Sequence, residues 1–172
     1  YSSILSLDLG IYYKRRDYSR IENGRNPIIA HEYLGNNVTG KDIVIVDDMI
    51  SSGDSILDIT RHLKEMGAQR IFIFATFGLF CEGLSRFDEA FAAKQITKVF
   101  TTNLNYRTDE LKSRCWYEEV DMSKYIALLI DTLNYDKSLS DLIDPAARIK
   151  KLLSEKRGCF SNVPHEIKQI NS

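Results

Sequence analysis

An unbroken apolar run of four β-branched residues, IVIV, occupies positions 43–46. Such runs are typical of a central strand in a parallel sheet, where both faces of the strand are buried. Two aspartates, Asp47 and Asp48, follow the run immediately. A buried strand that ends in charged residues predicts that the chain leaves the core at this point and enters a surface loop.

A helix is expected directly after this loop, because Ile56, Ile59, Leu63 and Met66 repeat at helical spacing. Ser51 or Ser52 could cap its start, and Gly67 lies where a C-terminal cap belongs. Further elements alternate in the same way. We expect strands at 5–13, 28–34, 43–46, 71–77 and 98–101, and helices at 54–66, 84–93, 125–133 and 145–156. This order predicts an α/β fold: an open, mainly parallel sheet with helices on both faces.

Composition is that of an ordinary globular domain, with 44% apolar and 27% charged residues in 172. We expect one domain over residues 1–157 and a C-terminal tail over 158–172. The net charge of −1 gives no general attraction to nucleic acid or to anionic membranes. The sequence contains no apolar run long enough to predict a membrane span. The three cysteines are far apart in the sequence, which suits a reducing compartment. A soluble, cytoplasmic protein is expected.

The sequence begins at Tyr1, without Met, and runs almost at once into strand-like residues. We therefore expect the chain to be a piece of something longer.

The loop after the apolar run has the composition of a phosphate site. Ser51, Ser52, Gly53 and Ser55 stand at the expected start of a helix. Unpaired N–H groups and the helix dipole favour an anion there, and the hydroxyls add donors. Asp47 and Asp48 are acceptors that could hold neighbouring sugar hydroxyls or a hydrated magnesium ion. Together these features fit a sugar phosphate at the carboxyl end of the strand. The alternative is turn chemistry and a helix cap with no ligand.

The whole stretch from Ile43 to Ser55 resembles the phosphoribosyl-pyrophosphate motif of the type I phosphoribosyltransferase fold. The triplet Lys14-Arg15-Arg16, about thirty residues earlier, resembles the catalytic flexible loop of ribose-phosphate pyrophosphokinases. Residues 101–103 (TTN) and 138–142 (SLSDL) are also similar to that family, most of all to a longer bacterial branch. The resemblance covers roughly residues 5–145.

The resemblance implies a magnesium-dependent kinase that transfers the diphosphoryl group of ATP to ribose 5-phosphate. Lys14 and Arg16 would be catalytic, and Arg15 is the weaker candidate. Ribose 5-phosphate would bind to Asp47, Asp48, Ser51, Ser52, Gly53, Asp54 and Ser55, with Asp47 also a candidate magnesium ligand. The family implies a homo-oligomer, and the phenylalanines at positions 72, 74, 77 and 80 could serve its interface. We expect no nucleic-acid or membrane partner.

Three residues depart from the family pattern. Ser51 stands where a third acid is common, Asp54 follows Gly53 where the family has a small residue, and Asp17 replaces a proline. An Asp-x-Gly-Gly pyrophosphate loop and the N-terminal domain that supplies most of the ATP site are absent from these 172 residues. The chain alone is therefore expected to bind ribose 5-phosphate weakly and to turn over poorly or not at all.

Two other functions stay open. One is a phosphoribosyltransferase that consumes phosphoribosyl pyrophosphate with a nucleobase, which would not require ATP. The other is a non-catalytic subunit of the same fold that senses the metabolite. The departures at Ser51 and Asp54 are compatible with such a subunit.

Overall fold

The structure is a computed structural model that describes residues 2–16 and 28–160. The side chains of a few residues within these ranges are outside the description, namely those of residues 14–16, 28–31, 141, 143 and 156–160. The chain divides into two compact units. One comprises Tyr1–Asp8 and Ala127–Ser172, and the other comprises Leu9–Ile126. The predicted single domain over 1–157 stays a prediction.

In the part of the larger unit that the structure describes, six strands form two sheets. An antiparallel pair joins β1 (Ile11–Arg16) to β2 (Ile28–Leu34). A four-stranded parallel sheet has the order β3-β4-β5-β6. Its strands are β3 (Ile43–Ile50), β4 (Ile71–Gly78), β5 (Lys98–Thr102) and β6 (Tyr117–Val120). Three helices connect these strands, namely α2 (Asp54–Glu65), α3 (Ser85–Ala92) and α4 (Asp109–Lys112).

One face of this parallel sheet carries the core. Because each strand neighbours the next in sequence, right-handed crossovers place the connecting helices on the same side. Ile71, Ile73 and Val99 are fully buried there against Leu63 of α2 and Phe87 of α3. Burying each large side chain of this kind contributes about 1.5–3 kcal/mol to stability.

The other face of the sheet is partly exposed, which corrects one expectation. Val44 and Val46 are 51% and 55% exposed, although an apolar run of this kind predicted burial on both faces. β3 is an edge strand of the described four-stranded sheet and not a central one. Phe74 and Phe100 stack on this outer face with ring centroids 4.4 Å apart. The α/β class with an open parallel sheet is confirmed.

The antiparallel pair is tied to α2 through one tyrosine. Tyr12 packs against the core, and its hydroxyl lies 3.3 Å from Nδ1 of His62 on α2. Tyr33 lies beside it, with ring centroids 5.3 Å apart. The hairpin that carries Lys14 and Arg16 is thereby anchored to the helix that begins at the candidate phosphate loop.

The smaller unit is helical. It contains α1 (Ser2–Leu5), most of α5 (Ser123–Asn134), α6 (Ser140–Ile143) and α7 (Ala146–Phe160). The strand expected over 5–13 begins only at Ile11, and its first expected residue, Leu5, ends α1 instead. α7 continues to Phe160, beyond its expected end at Lys156. The remainder of the expected tail, residues 161–172, lies outside the described residues. Within the described part of the chain, no helix has the length and apolar character to cross a membrane.

Candidate functional site

The end of β3 and the start of α2 enclose a cavity of about 260 Å³. Six polar or glycine residues and three apolar residues line it. The polar lining residues are Asp47, Asp48, Ser51, Ser52, Gly53 and Ser55, and the apolar ones are Met49, Ile50 and Ile56. Six of the seven residues expected to bind a sugar phosphate therefore surround one space. The exception is Asp54.

The two aspartates belong to the strand itself, because β3 continues past the apolar run to Ile50. Both side chains are exposed. Asp48 N–H donates to Asp47 Oδ1 at 2.9 Å, and Met49 N–H donates to Asp48 Oδ1 at 2.7 Å. These local bonds orient the carboxylates, and among the described residues the second oxygen of each has no partner. The pair can therefore accept hydrogen bonds from a ligand or coordinate a cation.

Gly53 shapes the turn between the strand and the helix. Its φ of 88° lies in the left-handed region, and it is the N-cap of α2. A Cβ on this residue would lie 2.5 Å from Cε2 of Phe87, which is fully buried. Gly53 itself has no side chain to cap the helix, but the expectation is met in part by Ser52, whose Oγ accepts a hydrogen bond from Asp54 N–H, at the first helical residue, at 3.4 Å. The first helical hydrogen bond runs from Leu57 N–H to the Gly53 carbonyl at 2.9 Å.

The loop after β4 supports the segment between β3 and α2, residues 51–53, which is the candidate phosphate loop. Leu79 N–H and Phe80 N–H both donate to the Ile50 carbonyl, at 2.8 and 3.3 Å. Cys81 N–H donates to the Ser51 carbonyl at 2.9 Å, and Cys81 Sγ lies 3.8 Å from Ser51 Oγ. Phe80 adopts a left-handed φ of 46° at the centre of these contacts. Its ring is held between aromatic side chains of the core, at 5.1 Å from Phe87 and 5.9 Å from Trp116.

Asp54 is directed toward α3. Its carboxylate accepts a hydrogen bond from Ser52 Oγ at 2.9 Å and forms an ion pair with the Arg86 guanidinium. The hydrogen bond from Ser52 and the positive charge of Arg86 hold the pKa of Asp54 below its usual value. The carboxylate is thus ionised and neutralised by a cation from a neighbouring helix. This arrangement explains how an acid can stand inside a loop whose composition favours an anion.

Sequence reasoning missed Arg86 because the residue lies on α3, outside every motif. The contact could have been predicted only from the order of the strands in the sheet. Loops that follow adjacent parallel strands meet at the carboxyl edge of the sheet, so the segment after β4 had to reach the segment after β3.

Lys14 and Arg16 lie at the C-terminal end of β1, so the basic triplet ends a strand as expected, although the strand extends through Arg16 and not only to Tyr13. Lys14 pairs with His31 and Arg16 with Ile28 on β2, and the register shifts between Arg15 and Arg16. The side chains of the triplet and residues 17–27, including Asp17, lie outside the described residues. The catalytic role of Lys14 and Arg16 stays a prediction.

The donor set is compatible with magnesium held mainly by water and ligand oxygens. Asp47 and Asp48 offer adjacent exposed carboxylate oxygens, which are the hard donors that this ion prefers. Among the described residues, no group of three or more His, Cys, Asp or Glu side chains could hold a metal ion by itself. A cation here would therefore complete its shell with water or with oxygens of a phosphorylated ligand.

A family model, the phosphoribosyl synthetase-associated domain, matches residues 23–144. The chain belongs to this family. The match covers β3 and α2, whose residues line the cavity, and α3, which carries Arg86. It begins after the Lys14-Arg15-Arg16 triplet.

Individual relatives agree with this assignment. A ribose-phosphate pyrophosphokinase from Haemophilus ducreyi is 26% identical over 137 residues, which is 80% of this chain and 40% of the relative. Another from Pyrococcus furiosus is 37% identical over 67 residues, which is 38% of this chain and 24% of the relative. The chain therefore spans about two fifths or less of the relatives' length. The predicted relationship to ribose-phosphate pyrophosphokinases is confirmed.

The fold has a counterpart among solved structures. The crystal structure of phosphoribosylpyrophosphate synthetase from Mycobacterium smegmatis matches with a TM-score of 0.54 and 23% identity, over 62% of this chain and 34% of that one. At this identity the likeness concerns the fold alone.

Proposed function

We propose that this chain carries the ribose 5-phosphate site of a ribose-phosphate pyrophosphokinase. The observation that supports the proposal is the cavity at the end of β3, which has two carboxylates on one side and a serine-rich helix start on the other. Carboxylates accept hydrogen bonds from a sugar diol, whereas helix N–H groups and hydroxyls donate to a phosphate. One sugar phosphate needs both kinds of partner at once.

The proposed reaction joins this substrate to ATP. The anomeric oxygen of ribose 5-phosphate attacks the β-phosphorus of ATP, and the bond between that phosphorus and the oxygen bridging to the α-phosphate breaks. The products are phosphoribosyl pyrophosphate and AMP, with the hydroxyl proton released. Mg²⁺, held by Asp47 and ligand oxygens, supplies positive charge near the diphosphoryl group when bound.

In this proposal the loop and the basic triplet have separate roles. Ser51, Ser52, Gly53, Asp54 and Ser55 bind the 5-phosphate, with Ser52 and Asp54 contributing only backbone N–H groups because the Ser52 hydroxyl donates to the Asp54 carboxylate. Asp47 and Asp48 hold the ring hydroxyls. Lys14 and Arg16 stabilise the negative charge that develops on the transferred group, because phosphoryl transfer depends mainly on positioning and electrostatics. The working assembly is a cytoplasmic homo-oligomer, as in the implied family.

The deciding experiment measures AMP formation from ATP, ribose 5-phosphate and Mg²⁺ by the complete gene product and by this chain alone. We expect turnover by the complete product and little or none by this chain, which includes no Asp-x-Gly-Gly loop. Equal rates from both would contradict that division of the site. Consumption of phosphoribosyl pyrophosphate with a nucleobase and without ATP would favour a phosphoribosyltransferase. Binding without turnover in the complete product would favour a sensing subunit.

Removing one negative charge from the strand end should weaken sugar binding selectively. We expect Asp47→Asn and Asp48→Asn each to reduce the affinity for ribose 5-phosphate by about tenfold, since hydrogen bonds to charged acceptors contribute roughly 1.5–3 kcal/mol. Asparagine keeps the Oδ1 acceptor that the next backbone N–H uses. Calorimetric titration with ribose 5-phosphate and, separately, with inorganic phosphate measures the effect.

The matched control is Asp58→Asn, which changes an exposed acid on α2 that pairs with Arg61 and does not line the cavity. Its affinity should equal that of the wild type. If the strand variants lose inorganic phosphate and ribose 5-phosphate equally, the assignment of Asp47 and Asp48 to the sugar is wrong.

Lys14→Ala and Arg16→Ala should each lower kcat of the complete gene product by about 100-fold, the usual effect of deleting one preorganised group that stabilises developing charge. Affinity for ribose 5-phosphate should change little, because the proposed roles concern the transferred group. Arg15→Ala is the control and should retain most activity. Steady-state AMP formation measures kcat, and a loss in Arg15→Ala as large as in the other two would refute the assignment.

A further inference from the structure

Arg86 neutralises the one acid that stands inside the candidate phosphate loop. The residue lies on α3, and its guanidinium pairs with Asp54 Oδ1, while Glu82 Oε2 lies 3.6 Å away. Ser52 Oγ donates to the other oxygen, Asp54 Oδ2, at 2.9 Å. One oxygen of the Asp54 carboxylate is therefore engaged by Arg86, which does not line the cavity, and the other by Ser52, which does.

The cavity lining shows the result of these contacts. Ser52, Gly53 and Ser55 line the space on either side of Asp54, yet Asp54 itself does not. Asp54 is the first residue of α2, where helix N–H groups point outward and an anionic ligand is favoured. An ionised carboxylate released at this position would occupy the same donors and repel a phosphate.

We propose that Arg86 is a positioning residue for phosphate binding, because it holds the Asp54 carboxylate on α3 and away from the helix start. This inference rests on the proposed function, since it assumes a phosphorylated ligand in the cavity. Arg86 acts on the ligand through Asp54, and neither side chain needs to contact it. The side chains of Arg86 and Asp54 are 41% and 50% exposed, so solvent screening weakens the ion pair without abolishing it.

A purely structural role for Asp54 makes a different prediction. An acid in the first turn of a helix stabilises the helix dipole, with or without a ligand nearby. If that were its whole role, Arg86→Ala would change stability slightly and leave phosphate affinity unchanged. The two readings separate in the double variant, because removing the Asp54 charge restores binding only if that charge was the obstacle.

The test uses four variants of this chain: Arg86→Ala, Arg86→Lys, Asp54→Asn, and Arg86→Ala combined with Asp54→Asn. Calorimetric titration measures affinity for ribose 5-phosphate and for inorganic phosphate, and circular dichroism confirms that each variant is folded. We expect Arg86→Ala to weaken both ligands about tenfold, as one unneutralised unit charge near a phosphate requires. Arg86→Lys should recover most of the affinity, and the double variant should bind as well as Asp54→Asn alone.

Arg61→Ala is the matched control, because Arg61 forms a similar exposed ion pair with Asp58 on α2, 3.1 Å apart, away from the cavity lining. It should bind like the wild type. If Arg86→Ala binds both ligands with wild-type affinity, the positioning role is wrong. It is also wrong if the double variant binds as weakly as Arg86→Ala. Either result leaves the proposed function standing. Failure of the wild-type chain to bind ribose 5-phosphate or phosphate overturns the proposed function, and the positioning role with it.

Discussion

Replacing Gly53 by alanine is expected to destabilise the protein by about 2–5 kcal/mol and to abolish the proposed binding of ribose 5-phosphate at the end of β3. Two costs add at this residue. A φ of 88° costs a residue with a Cβ about 1–2 kcal/mol, and forcing a methyl group into a packed neighbour costs about 1–3 kcal/mol more. The neighbour is the Phe87 ring, 2.5 Å from the position of the new Cβ.

This clash cannot be relieved by a small side-chain movement, because Phe87 is itself fully buried and stacks on Trp116 with ring centroids 5.4 Å apart. The loop must therefore move instead, and the loop carries the cavity's serines. Equilibrium unfolding in urea, followed by circular dichroism, measures the loss of stability, and titration with ribose 5-phosphate measures the loss of binding.

Gly40→Ala provides a matched control for Gly53→Ala. Gly40 also has a positive φ, 69°, but nothing lies within 4 Å of a Cβ placed there. It should show the backbone cost alone, about 1–2 kcal/mol, with normal binding. Equal destabilisation in the two variants would show that contact with Phe87 contributes nothing.

Trp116→Ala should cost about 3–5 kcal/mol, the usual effect of truncating a buried large aromatic side chain. Trp116 is 1% exposed, and its ring lies among Phe80, Phe87 and Tyr117. Its Nε1–H also donates to Asp88 Oδ1 at 2.6 Å, so the alanine variant removes a hydrogen bond together with the ring. Urea unfolding followed by far-ultraviolet circular dichroism suits this variant, because Trp116 is the only tryptophan.

Two further variants separate the contributions of Trp116. Trp116→Phe keeps an aromatic ring and loses the Nε1–H donor, so we expect a smaller loss of about 1–3 kcal/mol from the missing hydrogen bond to Asp88 and the smaller ring. Tyr106→Ala removes an aromatic ring that is 87% exposed and should change stability by less than about 0.5 kcal/mol. A Trp116→Ala cost near that of Tyr106→Ala would contradict the packing described for the aromatic core.

Most of the fold could be predicted because its longer elements have a clear period. The apolar stripe of α2, the β-branched run of β3 and the run of alternating Ile and Phe in β4 each indicate their secondary structure from neighbouring residues alone. Short elements such as β6 (YEEV) and α4 (DELK) have four residues each, too few for any period to appear. They form because of what they contact. Tyr117 of β6, for example, bonds Thr101 inside the core at 2.8 Å.

The candidate site shows the same division between local and distant information. Residue types alone indicated an anion at the helix start and acceptors at the strand end, since both depend on neighbours in sequence. The support from residues 79–81 and the neutralisation of Asp54 by Arg86 depend on which strands are adjacent. The exposure of Val44 and Val46 could not be predicted either, because an apolar run does not indicate which face of the strand is covered by other elements.

The uneven covering of the parallel sheet has a consequence for how its sequence can change over time. Along β4, alternate side chains belong to different environments: Ile71 and Ile73 are fully buried, whereas Phe72 and Phe74 between them are only half-buried. The first pair can drift only among residues of similar volume, because the core has no room for others. The second pair can exchange size and polarity far more freely. Homologous chains aligned at this strand should therefore vary with a period of two.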